Sequence, residues 1–244
     1  MSKDKIYAND DPGDRPFRFN AAVAKVFPDM LRRSIPGYAA SIEAIGSLAA
    51  RYATDNSNCY DLGCSLGAAT LAMRDGITAT GCNIIAVDNA PAMVERCREA
   101  LTTGTNGEHS TTVEVVQADI EETEIRNASM VVMNYTLQFL GVEARAAIVQ
   151  RIFDGLLPGG LFLLSEKVVD DDAYMEELLV DLHHEHKRRN DYSQLEISRK
   201  RAALENVLLP ESVPAHRARL AAAGFARSAV WLRYFNFVSI VAIK

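Results

Sequence analysis

The chain lacks any apolar run near the ~20 residues that a membrane-spanning helix requires, and residues 1–10 hold no apolar core of a signal peptide. A cytoplasmic chain with no membrane contact is the expectation. Positive charge is in short supply: 26 Lys and Arg stand against 32 Asp and Glu, a net charge of −6. That balance argues against a broad nucleic-acid-binding face, and no direct nucleic-acid contact is expected, although a local basic patch fits. Cysteine is scarce too. The four present, Cys59, Cys64, Cys82 and Cys97, form no C-x-x-C pair, which reads as neutral thiols in a reducing compartment. His183-His-Glu-His186 sets two imidazoles at i,i+3 on a helix. No third ligand follows at a diagnostic spacing such as H-E-x-x-H, so a solvated helix face and no metal are expected.

What is present is a core. Of the 244 residues, 48% are hydrophobic, too many for a disordered chain, and α/β chains of this size often run as one domain. Helical periodicity covers 23–33 and 39–52, with the turn Ile35-Pro-Gly-Tyr38 between them. Short apolar strands are predicted at 58–62, 83–88, 112–117, 129–134 and 161–165, alternating with helices at 68–75, 91–102 and 142–156. Strands apolar almost throughout belong to a parallel sheet covered on both faces, and the βαβ rhythm implies right-handed crossovers. After Glu166 the rhythm breaks. Residues 168–210 read as a helical insertion over the sheet edge, a helix at 213–223 ends at Gly224, and 230–235 with 237–243 form a tight hairpin. The predicted fold is α/β: a Rossmann-like, doubly wound, mostly parallel seven-stranded sheet with an antiparallel last strand and a helical insertion after strand five. It occupies a single domain over 21–244, behind a loose arm at 1–20 that carries Pro12, Gly13 and Pro16.

The stretch Asn58-Cys-Tyr-Asp-Leu-Gly-Cys-Ser-Leu-Gly67 runs a strand into a glycine turn and a helix. Gly63 permits a sharp turn and close ligand approach, and the amides at the helix start offer donors. The same residues match G-x-S-x-G, the nucleophile elbow of serine hydrolases. That elbow follows several earlier strands, whereas this is the first, which favours a ligand loop. A structural turn accounts for many such matches; the force comes from the set. Asp61 precedes the turn, where it reaches the amino group of a ligand. Asp88, Asp119 and Asn134 end strands two, three and four, and ligands of open α/β sheets bind outside the carboxyl ends of the strands. Each alone fits an Asx-turn or helix cap. A dinucleotide would prefer G-x-G-x-x-G for its pyrophosphate, and no basic residue lies in this turn. S-adenosylmethionine carries no phosphate; it needs an acid for the ribose, here Asp88, and a polar and an apolar wall for adenine, here Asp119 and Ile120. Leu157-Pro-Gly-Gly-Leu161 is a further feature frequent in methyltransferases. Two basic clusters, Lys187-Arg-Arg189 and Arg199-Lys-Arg201, are either solvated surface or an anion clamp.

Longer motifs make a resemblance specific: Val26-Phe-Pro-Asp-Met30, Ser34-Ile-Pro-Gly-Tyr38, Tyr60-Asp-Leu-Gly-Cys-Ser-Leu-Gly-Ala-Ala-Thr70, Asp88-Asn-Ala-Pro-Ala-Met-Val-Glu-Arg-Cys97, Asn127-Ala-Ser-Met-Val-Val-Met-Asn134, Thr136-Leu-Gln-Phe-Leu140, Leu195-Glu-Ile-Ser198 and Lys200-Arg-Ala-Ala-Leu-Glu-Asn206. On these the chain resembles the carboxy-S-adenosyl-L-methionine synthase family over almost its full length; the arm and the loop 102–111 match poorly. The resemblance implies a homodimer that converts S-adenosyl-L-methionine and prephenate to carboxy-S-adenosyl-L-methionine, phenylpyruvate and water, the product serving a tRNA carboxymethyltransferase that modifies a wobble uridine. It implies that Tyr38, Gly63, Cys64 and Ser65 line the S-adenosylmethionine site, that Asp88 and Asn89 hold the ribose side, Asp119 and Ile120 the adenine, Asn134 the amino-acid end, and Arg201 the new carboxylate. It does not name the proton acceptor. An ordinary S-adenosylmethionine-dependent methyltransferase and a non-catalytic binding protein are the competing readings.

Overall fold

The computed structural model describes residues 2–8, 16–103 and 111–244; Pro12, Gly13 and most of the loop 102–111 lie outside them. Two helices, α1 (Ala21–Ser34) and α2 (Tyr38–Tyr52), precede the sheet. Asn20 starts α1 by accepting a bond from Val23 N at 3.0 Å, a side-chain cap for an otherwise orphan amide. Then come β1 (Asn58–Leu62), α3 (Ala68–Gly76), β2 (Asn83–Asp88), α4 (Pro91–Thr103), β3 (Thr112–Gln117), β4 (Ala128–Asn134), a one-turn 3-10 helix (Leu137–Phe139), α5 (Val142–Gly155) and β5 (Leu156–Val169). The insertion holds α6 (Ala173–Arg189) and α7 (Gln194–Leu204), and β6 (Glu211–Ser212), α8 (Val213–Ala223), β7 (Arg227–Tyr234) and β8 (Phe237–Ile243) complete the chain.

The strands lie in the order β3-β2-β1-β4-β5-β8-β7, with β6 paired only to the end of β5. Strands β1 to β5 are parallel, and β8 is antiparallel to both neighbours. The seven-stranded doubly wound sheet with its antiparallel last strand is therefore as expected. Both faces are covered. Ile45 and Ala49 of α2 and Met73 of α3 pack on one; Ile148, Val149 and Ile152 of α5 and Leu220 of α8 pack on the other. The order reverses between β1 and β4, so their carboxyl ends flank the crevice where such sheets bind ligands.

Three expectations need correction. The insertion does not sit on a sheet edge. It folds over the carboxyl ends of the strands, where His183 of α6 bonds Ser34 O at 2.9 Å and its ring lies 4.8 Å from Phe237. The edges are β3 and β7. The arm is not loose where it is described: Asp4, Tyr7 and Phe17 are buried, and Asp4 bonds Asp29 through its amide and accepts from Tyr192 through its carboxylate. Finally, β5 begins at Leu156 rather than 161, since Ala128 of β4 already pairs with Leu156.

Candidate active site

The turn after β1 is bonded to itself and to β2. The amides of Gly63 and Cys64 both donate to Val87 O, at 2.8 and 2.9 Å, and Ser65 N donates to Asp88 Oδ2 at 2.9 Å. These three turn amides are therefore spent within the fold. A pyrophosphate needs free amides, so the loop suits a ligand held by side chains. Gly63 has φ +83, and a Cβ there would fall 2.9 Å from Thr136 Cβ and closer still to its other side-chain atoms. The turn after β1 and the segment after β4 therefore touch at the switch point, and only a glycine permits it.

Asp88 accepts from Ser65 N and Ala90 N, both at 2.9 Å. Burial pushes its carboxyl above the ordinary range, against the pull of those amides. Asn89 donates to Asp119 Oδ1 at 2.7 Å, so the ends of β2 and β3 form one polar wall beside the half-buried Ile120. Asp61 is buried, accepts from Thr70 Oγ1 at 2.6 Å, and is pushed up to about 6 by burial. Tyr38 approaches from the start of α2; burial and the Asp61 charge raise its phenol, and its ring lies 6.4 Å from that of Tyr135. Cys64 is held as a neutral thiol by its bond to Cys97 and by burial. Asn134 ends β4 with its Oδ1 buried and unpartnered among the described residues, an acceptor waiting for a donor such as a ligand's ammonium. The unpartnered acceptor, the side-chain walls and the loop spent on its own bonds all fit a nucleoside sulfonium better than a phosphate ligand.

These groups converge on one crevice, and a chain of contacts leads from it to the insertion. Tyr135 lies 6.0 Å from Phe237, and Phe237 packs on His183. His183 is not on a solvated face: burial and the Lys187 charge push its imidazole down to about 2, so it is neutral. Arg201 of α7 is exposed, and its charge is felt by Lys167, His184 and Lys187. Lys187 and Lys200 are buried, not solvated surface, and burial pushes them down to about 7 and 8. Sequence reasoning missed Tyr135, Glu166 and Lys167. Glu166-Lys167 interrupts the apolar run of β5 three residues before its end, a polar signal of the kind that marked Asp88 and Asn134. Nothing in the sequence separates the buried Lys187 from its exposed neighbours. A broad surface hollow lined by Glu122, Arg126, Arg151 and Leu157 lies at the amino ends of β4 and β5, the opposite end of those strands from Asn134 and Lys167.

A family model described as a methyltransferase domain matches residues 60–160. Among solved structures, human N-acetylserotonin methyltransferase in complex with SAM aligns with a TM-score of 0.59 at 16% identity, over 92% of this chain and 55% of that one. A chain from Methanococcus maripaludis described as an S-adenosyl-L-methionine-dependent methyltransferase aligns with a TM-score of 0.60 at 18% identity, over 95% and 96%. The fold is that of the class I S-adenosylmethionine-dependent methyltransferases. Sequence relatives narrow this. The carboxy-S-adenosyl-L-methionine synthase of Vibrio campbellii is 55% identical over 93% of this chain and 92% of its own length. That of Photorhabdus laumondii is 51% identical over 99% and 95%. The chain belongs to the carboxy-S-adenosyl-L-methionine synthase family.

Proposed function

We propose that the protein converts S-adenosyl-L-methionine and prephenate to carboxy-S-adenosyl-L-methionine, phenylpyruvate and water. The observation that carries the reading is the 51–55% identity to carboxy-S-adenosyl-L-methionine synthases, and it is supported by the cations Lys167, Lys187 and Arg201, whose charges act on one another. A methyl-transfer site has no use for cations beside a sulfonium, because they repel it. They serve once a carboxylate forms there.

Asp88 and Asn89 hold the ribose side, Asp119 and Ile120 the adenine, and Tyr38, Gly63, Cys64 and Ser65 the rest of the nucleoside. Asp61 and the free Oδ1 of Asn134 take the ammonium, and Arg201 takes the carboxylate on the former methyl carbon. The sulfonium acidifies its methyl group, while prephenate on losing carbon dioxide and hydroxide supplies both the carboxyl carbon and a proton acceptor. Tyr38, Tyr135, Phe237 and His183 wall the crevice with groups that burial keeps neutral, excluding water and strengthening every charge contact inside.

The test is incubation of purified protein with S-adenosylmethionine, with and without prephenate, followed by mass spectrometry. A gain of one carboxyl group only with prephenate is expected. S-adenosylhomocysteine formed with tRNA alone would mark a methyltransferase, and no turnover a binding protein. The product, rather than this protein, is proposed to reach the tRNA-modifying enzyme, in the cytoplasm. A homodimer is proposed through α6, which exposes Tyr174, Leu178 and Leu182 along one face. Leu178→Glu with Leu182→Glu is expected to yield monomers by light scattering, and an unchanged mass would exclude that face.

A further inference from the structure

The buried face of α6 carries Leu179, His183 and Lys187 at intervals of four residues, so they form one stripe. Lys187 feels three like charges there, Lys167 near the end of β5 and Lys200 and Arg201 of α7, while His183 of its own helix stays neutral. The carboxylates nearby are committed elsewhere. Asp4 serves Lys200 and Tyr192, Glu176 acts on Lys167 and caps Asp170 N, Asp181 acts on His184, and Glu185 is paired with Arg188 and Arg189 on the outer side. Lys200 itself is engaged, donating to Ser34 Oγ at 3.2 Å with the Tyr192 ring 5.9 Å away. Among the described residues Lys167, Lys187 and Arg201 form no ion pair. Burying an unpaired ammonium among like charges is costly. The cost is recovered when an anion enters, because charge-assisted bonds in a water-poor site are strong.

We propose that Lys187, assisted by Lys167, forms a second anion subsite of the crevice that takes a carboxylate of the small dicarboxylate co-substrate, leaving Arg201 to the carboxylate made on the former methyl carbon. This rests on the prephenate reading and adds a residue to it. Lys187 and Arg201 lie on different helices, so the carboxylate of the co-substrate and the carboxylate made on the methyl carbon are held at separate points. Because burial and its neighbours hold the Lys187 ammonium down at about 7, an arriving carboxylate raises it again, and binding at pH 8 draws a proton from solution.

The test is calorimetry of prephenate binding to the protein loaded with S-adenosylhomocysteine, at pH 8 in two buffers of different ionisation enthalpy, together with steady-state kinetics. Lys187→Gln is expected to weaken prephenate binding and raise its KM about ten- to a hundredfold, the loss of one charge-assisted bond. Proton uptake is expected to disappear, S-adenosylmethionine affinity to hold within about twofold, and the melting temperature of the free protein to hold or rise, because a repulsion is removed. A lysine with a merely structural role would lower the melting temperature and leave proton uptake alone. Lys187→Arg is expected to restore binding without the proton uptake, and Lys167→Gln to show a smaller KM effect. Wild-type turnover with an unchanged KM in Lys187→Gln overturns the subsite and leaves the proposed function standing. Binding that depends on Lys187 without carboxylated product does the reverse.

Discussion

Gly63 and Gly159 form a matched pair that separates backbone strain from crowding. Both sit at positive φ, +83 and +79, but a Cβ on Gly63 would strike the Thr136 side chain, whereas one on Gly159 would meet nothing within 4 Å. An alanine in the left-handed region costs about 1–2 kcal/mol at either site. Forcing Thr136 aside adds about 1–3 kcal/mol at Gly63 alone, for a total of about 2–5 kcal/mol there. With about 2–4 °C per kcal/mol in a chain of this size, Gly159→Ala should melt about 2–8 °C below wild type and Gly63→Ala about 4–20 °C below. Only the second should change ligand binding, because Thr136 follows Asn134, the acceptor proposed for the ammonium. A displacement worth 1.4 kcal/mol there weakens S-adenosylmethionine about tenfold. Thermal melts by circular dichroism and calorimetric titration with S-adenosylmethionine measure both. Adding Thr136→Ala to Gly63→Ala should recover part of the crowding cost and none of the strain, giving a positive coupling in a double-mutant cycle. If Gly63→Ala melts with Gly159→Ala and binds S-adenosylmethionine as wild type does, the contact between the two strand ends is not what fixes this glycine.

Arg201→Ala should reduce carboxylated product about 10²–10³-fold, the effect of removing one electrostatic stabiliser of a forming anion, with S-adenosylmethionine binding retained by calorimetry; Arg201→Lys should lie between, keeping charge without the planar fork. Asp61, raised to about 6 by burial, must ionise to hold an ammonium, so S-adenosylmethionine affinity should fall as pH drops below about 6, and Asp61→Asn should be weak and flat across pH 5–8. Glu166 is fully buried and pushed up to about 8, so the folded state keeps a proton that the unfolded chain releases. Its contribution to stability falls as pH rises from about 4.5 to 8, by at most about 1.4 kcal/mol per pH unit. Glu166→Gln, which still offers an acceptor to Leu137 N, should remove that slope in denaturant titrations; parallel curves for the two proteins would show that Glu166 is already ionised.

Local patterns mark strands and their ends, and long-range burial leaves no local pattern. Strand positions come from apolar runs and strand ends from the polar residues that stop them, which is why Asp61, Asp88, Asp119 and Asn134 are legible in the sequence as strand-end residues. Burial of charge leaves no such local mark. Lys187 and Arg188 are neighbours of similar composition, yet Lys187 is buried among cations while Arg188 bonds Glu185 in solvent. What separates them is the seating of α6 on Ser34 and Phe237, contacts that span 149 residues in one direction and the final hairpin in the other. The same long-range seating turned His183 from an expected surface residue into a neutral wall of the site, and put the insertion over the strand ends rather than the edge. A glycine loop and an acid after strand two specify a nucleoside site in many sheets of this kind; the chemistry proposed for the ligand here depends on charges carried by α6 and α7. Substitutions on the buried stripe of α6 should therefore alter which co-substrate is accepted while leaving S-adenosylmethionine binding intact, and substitutions in the 63–67 turn should do the opposite.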